Sequence, residues 1–224
     1  MLNAGRPLTD TPELLAVSKT VPPEPLLEAV NHGLLLFGES RVQEAKAKIP
    51  LLPSRCRWHF IGHLQKNKIR QALPLFELFH GVDSVETAQE IQRIASELSL
   101  APKVLLEVNL AGESSKFGFQ PEALPEKLET LLNLKSLQIE GLMTIPPPAP
   151  EAESSRRYFA GLRELRDQLK ERFGICLKTL SMGMSGDYPV AVEEGATLLR
   201  IGSALFGQRK STAWKPSATD LLDG

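Results

Sequence analysis

Very little in this chain marks it as anything other than a globular domain. Only two cysteines, Cys56 and Cys176, occur in 224 residues. A distant pair like this makes neither a disulfide framework nor a zinc-site pattern, and it fits a reducing compartment. No metal is expected. No apolar run approaches the length needed to cross a bilayer, so no membrane association is expected. The opening residues, Met1-Leu2-Asn3-Ala4-Gly5-Arg6-Pro7, lack the basic-then-apolar order of a secretory signal, and the expected location is the cytoplasm. A formal net charge of -1 gives no reason to expect nucleic acid as a partner. No Gly-x-Gly-x-x-Gly follows the first apolar run, which argues against a dinucleotide fold. No linker or low-complexity stretch divides the chain. What remains is ordinary: 42% hydrophobic and 24% charged residues, enough for a sizeable core.

The pattern along the chain is more informative. Short apolar runs alternate with helical periodicities. Runs at 14–20, 34–38, 58–62, 78–82, 104–110, 137–145, 176–181 and 197–201 read as strands. Between them lie helical patterns at 24–32, 41–49, 65–73, 121–132 and 190–194. Two further helices show clear stripes: Val85, Ala88, Ile91, Ile94, Ala95 and Leu98 behind Ser84 as a cap, and Phe159, Leu162, Leu165, Leu169 and Phe173. A last helix begins at Ala204. Continuous apolar strands separated by amphipathic helices imply a parallel sheet covered by helices. Eight such units predict a single α/β domain, a closed (β/α)8 TIM barrel over residues 14–210, in preference to an open doubly wound sheet. Residues 1–13 read as an N-terminal extension and 211–224 as a polar, disordered tail.

Barrel sites lie at the C-terminal ends of strands. The first strand, Leu14-Leu15-Ala16-Val17-Ser18-Lys19-Thr20, ends on a lysine. Alternation places Leu15, Val17 and Lys19 on one face, with Lys19 at the barrel mouth. A desolvated lysine is a nucleophile for carbonyls; the plainer alternative is a side chain snorkelling from a strand end. Arg200 points inward from the eighth strand by the same alternation, and a structural salt bridge to Glu107 would satisfy it. The loops after strands seven and eight, Ser181-Met182-Gly183-Met184-Ser185-Gly186-Asp187 and Ile201-Gly202-Ser203-Ala204-Leu205-Phe206-Gly207, both join glycine and serine to a helix start. Free backbone N–H groups at such starts bind phosphate, and these are the usual phosphate loops of the fold. Lysine, arginine and two anion loops together describe a phosphorylated, carbonyl-bearing ligand, and pyridoxal 5′-phosphate meets each demand.

Six ordered motifs support this. They are Ala16-Val17-Ser18-Lys19-Thr20, Phe37-Gly38-Glu39-Ser40-Arg41-Val42-Gln43-Glu44, Trp58-His59-Phe60-Ile61-Gly62, Gly141-Leu142-Met143-Thr144-Ile145-Pro146, Leu180-Ser181-Met182-Gly183-Met184-Ser185 and Arg200-Ile201-Gly202. With them the chain resembles the YggS/PROSC family of pyridoxal phosphate homeostasis proteins over residues 14–209. The resemblance implies a barrel of the alanine racemase N-terminal type, the type III fold of pyridoxal phosphate proteins. It implies Lys19 as the Schiff-base residue, Arg200 facing the pyridine nitrogen, and Ser185, Gly202 and Ser203 around the phosphate. Ser40, Met143 and Ser181 are expected as secondary contacts. Lys116, in the fifth loop, is a further candidate contact or a solvated loop lysine. Two departures from the family pattern are Ser40, where asparagine is common, and Val21, where a second lysine is common.

The expected role is a carrier without catalytic residues, buffering and delivering pyridoxal phosphate and so maintaining vitamin B6 and amino-acid balance, with apo-enzymes as recipients. An arginine beside the ring nitrogen disfavours its protonation and weakens the ring as an electron sink. A racemase also needs an acid or base on each face, and the racemase tyrosine comes from a second domain absent here. The chain has two tyrosines, Tyr158 and Tyr188, neither expected in that position. A weak alanine-racemase-like activity is the alternative, and a cofactor-free aldolase on a phosphosugar is a third reading. Without the second domain of the racemases, a monomer is expected.

Overall fold

The computed structural model describes residues 11–113, 116–208 and 214. Eight parallel strands close in sequence order into a barrel: β1 (Glu13–Val17), β2 (Leu36–Glu39), β3 (Arg57–Phe60), β4 (Leu78–Val82), β5 (Lys103–Glu107), β6 (Gln138–Met143), β7 (Thr179–Ser181) and β8 (Leu198–Ile201). β1 pairs with both β2 and β8, which completes the ring and sets Leu15 beside Arg200. The helices are α1 (Pro23–Asn31), α2 (Val42–Lys48), α3 (Ile69–Ala72), α4 (Val85–Glu97), α5 (Leu124–Leu132), α6 (Arg156–Phe173), α7 (Tyr188–Glu193) and α8 (Ser203–Phe206). The predicted (β/α)8 barrel is the observed fold.

Period-two alternation sorts the strand residues. Phe37, Trp58, Phe60, Phe79, Val104, Leu142 and Leu180 face outward and join the helix stripes in the main core. Leu15, Leu36 and Leu198 form a separate small cluster with Val17 and Ile61, and Leu78, Leu105 and Met143 form another. These two clusters fill the barrel interior, as the packed layers of such a barrel require.

Some elements are shorter than their sequence patterns. β7 is three residues long, because Cys176 to Lys178 approach the sheet without pairing. The third helix divides into a 3₁₀ turn (Lys66–Lys68) and the one-turn α3. The helix expected over 41–49 is α2, and it runs on into a 3₁₀ turn (Ile49–Leu51) that holds Pro50 where its missing N–H costs nothing. β1 stops at Val17, so Lys19 belongs to the turn after the strand rather than to the strand. The expected extension lies outside the described residues over 1–10, and so does the polar tail apart from Trp214.

Candidate functional site

A cavity of about 720 Å³ opens where the C-terminal ends of β1 and β8 meet. Its volume is that of a small-molecule site. Lys19 and Arg200 both line it, and so do Ser185, Gly202 and Ser203. Val17, Ile61, Ile145, Met184, Phe206 and Trp214 supply apolar walls. Five of the eight residues expected around a cofactor therefore share one cavity. Ser40, Met143 and Ser181 are not among its lining residues. Met143 is part of the interior apolar cluster, Ser40 is half-buried beside the close backbone approach of Gly62, and Ser181 lies fully buried behind Arg200.

Lys19 sits in a tight turn. Thr20, next to it, has φ of 66°, an uncommon left-handed conformation for a β-branched residue. The turn is tied from both sides. Ser18 Oγ donates to Glu39 Oε1 at 2.6 Å, and Lys48 Nζ donates to the Ser18 carbonyl at 2.8 Å. The Thr20 N–H donates to Glu44 Oε1 at 2.5 Å, and the Trp214 N–H to the Thr20 carbonyl at 3.3 Å.

The anion end is made from loops seven and eight. Gly183, at φ 91°, makes the turn after β7; a Cβ there would lie 2.6 Å from Ala191 Cβ, so no other residue fits. The loop carries Ser185 across to α8, where the N–H groups of Gly202 and Ala204 both donate to Ser185 Oγ, at 3.3 and 3.2 Å. Two backbone donors converging on one oxygen form a donor set suited to an anion.

Arg200 is 5% exposed. It donates to Ser181 Oγ at 2.6 Å and to the Thr144 carbonyl at 2.9 Å. The expected salt bridge with Glu107 is not formed; Glu107 acts on Arg200 only through its field. Burial lowers the guanidinium to about 10, opposed by the charges of Glu107 and Asp187, so Arg200 stays protonated at neutral pH. Behind it runs a polar column. His80 Nδ1 lies 3.0 Å from Ser181 Oγ, and His80 Nε2 lies 3.1 Å from His59 Nδ1. Arginine can only donate, so Ser181 accepts from it and turns its own proton to His80 Nδ1. His80 then carries its proton on Nε2 and donates to His59, a tautomer assigned from this pattern. Burial holds His80 well below the usual imidazole value and His59 at about 4, so both rings are neutral at pH 7. Burial also raises Glu107 to about 7, helped by Asp83.

A second cavity, of about 370 Å³, lies on another side of the mouth and includes His63, Asp83, Lys116 and Phe117. The His63 ring stacks on Phe117 at 3.9 Å, and Lys116 pairs with Glu113 at 2.7 Å. The structure thus seats Lys116 away from the cavity of Lys19. Sequence reasoning missed Trp214, His80 and the Lys48 cluster. For the cluster one signal was present, since Glu44 and Lys48 stand four apart on one helix face.

The fold and the cavity define a class. Residues 6–210 match the family model described as alanine racemase, N-terminal domain. Alanine racemase of Clostridium difficile shares the fold at a TM-score of 0.74 and 19% identity, with 91% of this chain and 55% of that chain covered. Within that class the relatives are specific. The pyridoxal phosphate homeostasis protein of Aquifex aeolicus is 48% identical over 199 residues, 88% of this chain and 87% of the relative. That of Vibrio cholerae is 40% identical over 203 residues, 88% of this chain and 85% of the relative. PipY of Synechococcus elongatus, in a structure with PLP bound, aligns at a TM-score of 0.82 and 40% identity, covering 92% of this chain and 96% of that one. The chain belongs to the pyridoxal phosphate homeostasis protein family.

Proposed function

We infer that this protein binds pyridoxal 5′-phosphate in the 720 Å³ cavity and acts as a carrier that buffers and delivers it, maintaining vitamin B6 and amino-acid homeostasis. The observation that carries this reading is the convergence of an amine, a buried guanidinium and a paired backbone-donor cradle on one largely apolar space. Those groups fit the cofactor's chemistry. Lys19 would hold the aldehyde, Arg200 would donate to the ring nitrogen, and Ser185, Gly202 and Ser203 would take the phosphate. Ser40, Met143 and Ser181 would act from behind these contacts. Bound, the cofactor supplies an electrophilic aldehyde on an electron-withdrawing ring.

The relatives are named as homeostasis proteins, and we read this chain too as lacking turnover. Among the described residues lining the cavity, no histidine, tyrosine or carboxylate stands opposite Lys19. Arg200 remains a donor at neutral pH and cannot accept a proton there. Tyr158 engages Arg157 on α6, and Tyr188 packs against the main core. One-sided proton exchange does not make a racemase. No helix among the described residues is long and apolar enough to cross a membrane. We read the protein as a cytoplasmic monomer whose recipients are apo-enzymes.

The test is spectroscopic. Titration of wild-type protein with pyridoxal phosphate is expected to produce a visible band distinct from the free cofactor and retained through gel filtration. Lys19→Ala should abolish the band, and Arg200→Ala should shift it and weaken binding. A wild-type protein that leaves the cofactor spectrum unchanged overturns the reading. D/L-alanine interconversion above the rate with free cofactor would replace the carrier with an enzyme.

A further inference from the structure

The residues on either side of Lys19 are held by a buried ionic cluster that lies outside the barrel wall. Lys48, in the last turn of α2, is completely buried. An ammonium has three N–H donors. Those of Lys48 are matched by Glu44 Oε1 at 2.6 Å, Glu39 Oε1 at 2.9 Å and the Ser18 carbonyl at 2.8 Å. Both carboxylates also reach the strand end themselves, Glu39 through the Ser18 hydroxyl and Glu44 through the Thr20 N–H. The Trp214 ring lies over the ammonium with its centroid at 5.0 Å.

Two features set this cluster apart from an ordinary structural ion pair. A buried pair replaced by apolar residues of similar volume is often no less stable, so stability by itself does not account for it. Its contacts also converge on the peptide groups adjacent to Lys19. One of them holds Thr20, whose left-handed backbone is strained and persists only because its surroundings impose it. We propose that Lys48, Glu44 and Glu39 form a positioning assembly that fixes the turn after β1 and so presents the Lys19 amine to the cavity. The proposal rests on Lys19 as the cofactor's point of attachment.

Glu44→Ala removes the acceptor for the Thr20 N–H and leaves Lys48 with two partners. Glu44→Gln keeps an oxygen at the same place. Two readouts apply, with circular dichroism confirming the fold of each variant. The first uses cofactor-free protein: pulse acylation with acetic anhydride across pH, with the Lys19 peptide followed by mass spectrometry. Glu44→Ala is expected to alter the rate and pH midpoint of Lys19 acylation, and Glu44→Gln to restore both. The second is pyridoxal phosphate affinity and the position of the bound band. Glu44→Ala is expected to weaken binding about tenfold, as misplacement of a reacting group does, and Glu44→Gln to recover most of it. Unchanged acylation, affinity and spectrum in Glu44→Ala overturn the proposal. So does a Glu44→Gln variant as impaired as Glu44→Ala, because the retained oxygen would then not matter. If Glu44→Ala does not fold, Ser18→Ala, which removes the hydroxyl's contacts with Glu39 Oε1 and the Gly38 carbonyl, carries the same test with a smaller effect in the same direction. A wild-type protein that takes no pyridoxal phosphate overturns the carrier reading, and the acylation readout still decides this one.

Discussion

Two buried polar assemblies flank the same cavity and accommodate a buried cation in opposite ways. Outside the barrel wall, Lys48 is surrounded by the carboxyl groups of Glu44 and Glu39 and a carbonyl, and burial raises Glu39 to about 7 against the pull of Lys48. Its charge is satisfied locally, and its role is to hold chain segments together. Inside the barrel, Arg200 donates, among the described residues, to a hydroxyl and a carbonyl, backed by two neutral histidines. No carboxylate among the described residues forms an ion pair with it, so its positive field remains available to the cavity. Lys48 has an acceptor for each of its three donors, whereas Arg200 is held by neutral groups and keeps its charge turned to the cavity.

The sharpest way to break this contrast is to remove each cation. Lys48→Met leaves the Glu44 carboxylate without its cation, while Glu39, already raised to about 7, takes up a proton, and the change should cost about 3 kcal/mol by urea denaturation. Arg200→Met leaves neutral partners and should cost about 1–2 kcal/mol, while removing far more of the pyridoxal phosphate affinity. If Arg200→Met proves the more destabilising of the two, the contrast is wrong.

A pH profile sharpens it. Burial raises Glu107 to about 7 in the folded protein, above its ordinary value. The folded state therefore holds a proton that the unfolded chain gives up, and this contribution is present below about pH 4.5 and lost as pH rises through 7. His59, held at about 4, works in the opposite sense: its contribution is present above about 6.5 and lost as pH falls through 4. Glu107→Gln should accordingly be more stable than wild type at pH 8, by about 2 kcal/mol, with the difference disappearing near pH 4.5. Denaturation at several pH values measures this. A constant difference would mean Glu107 is not held near 7.

The smallest effect belongs to the column behind Arg200. Ser181→Ala removes two links, the one from Arg200 and the one to His80, and should cost about 1 kcal/mol. Its more telling readout is the bound cofactor's absorbance, which should shift as Arg200 loses one of its two anchors. Nitrogen NMR of the His80 ring should show the loss of its Nδ1 partner, and an unchanged spectrum would mean the relay is not formed.

Much of the fold was legible because strand and helix patterns alternate without interruption. The main stripes on α4 and α6 are the ones that pack in the core. Lys19, Arg200 and the two glycine–serine loops were legible because their strand-end positions follow from counting units. Ser181 and Met143 were less so. Both alternate inward, but alternation gives a direction and not a depth, and both lie below the cavity. The exchange of partner at Arg200, from the expected Glu107 to Ser181 and Thr144, has the same origin. Which inward side chains touch depends on strand stagger around a closed ring.

By itself, then, the sequence determined the eight-unit barrel, the placement of Lys19 and Arg200 at its mouth, and the two glycine–serine loops beside them, since each is a local pattern read in order. Only the tertiary structure decided that Glu44 and Lys48 of α2 join Glu39 of β2 at the turn of Lys19, that His80 stands behind Ser181, and that Trp214 reaches back to Thr20. Those contacts join residues 21 to 194 positions apart or bridge separate strands, and their geometry exists only once the barrel has closed.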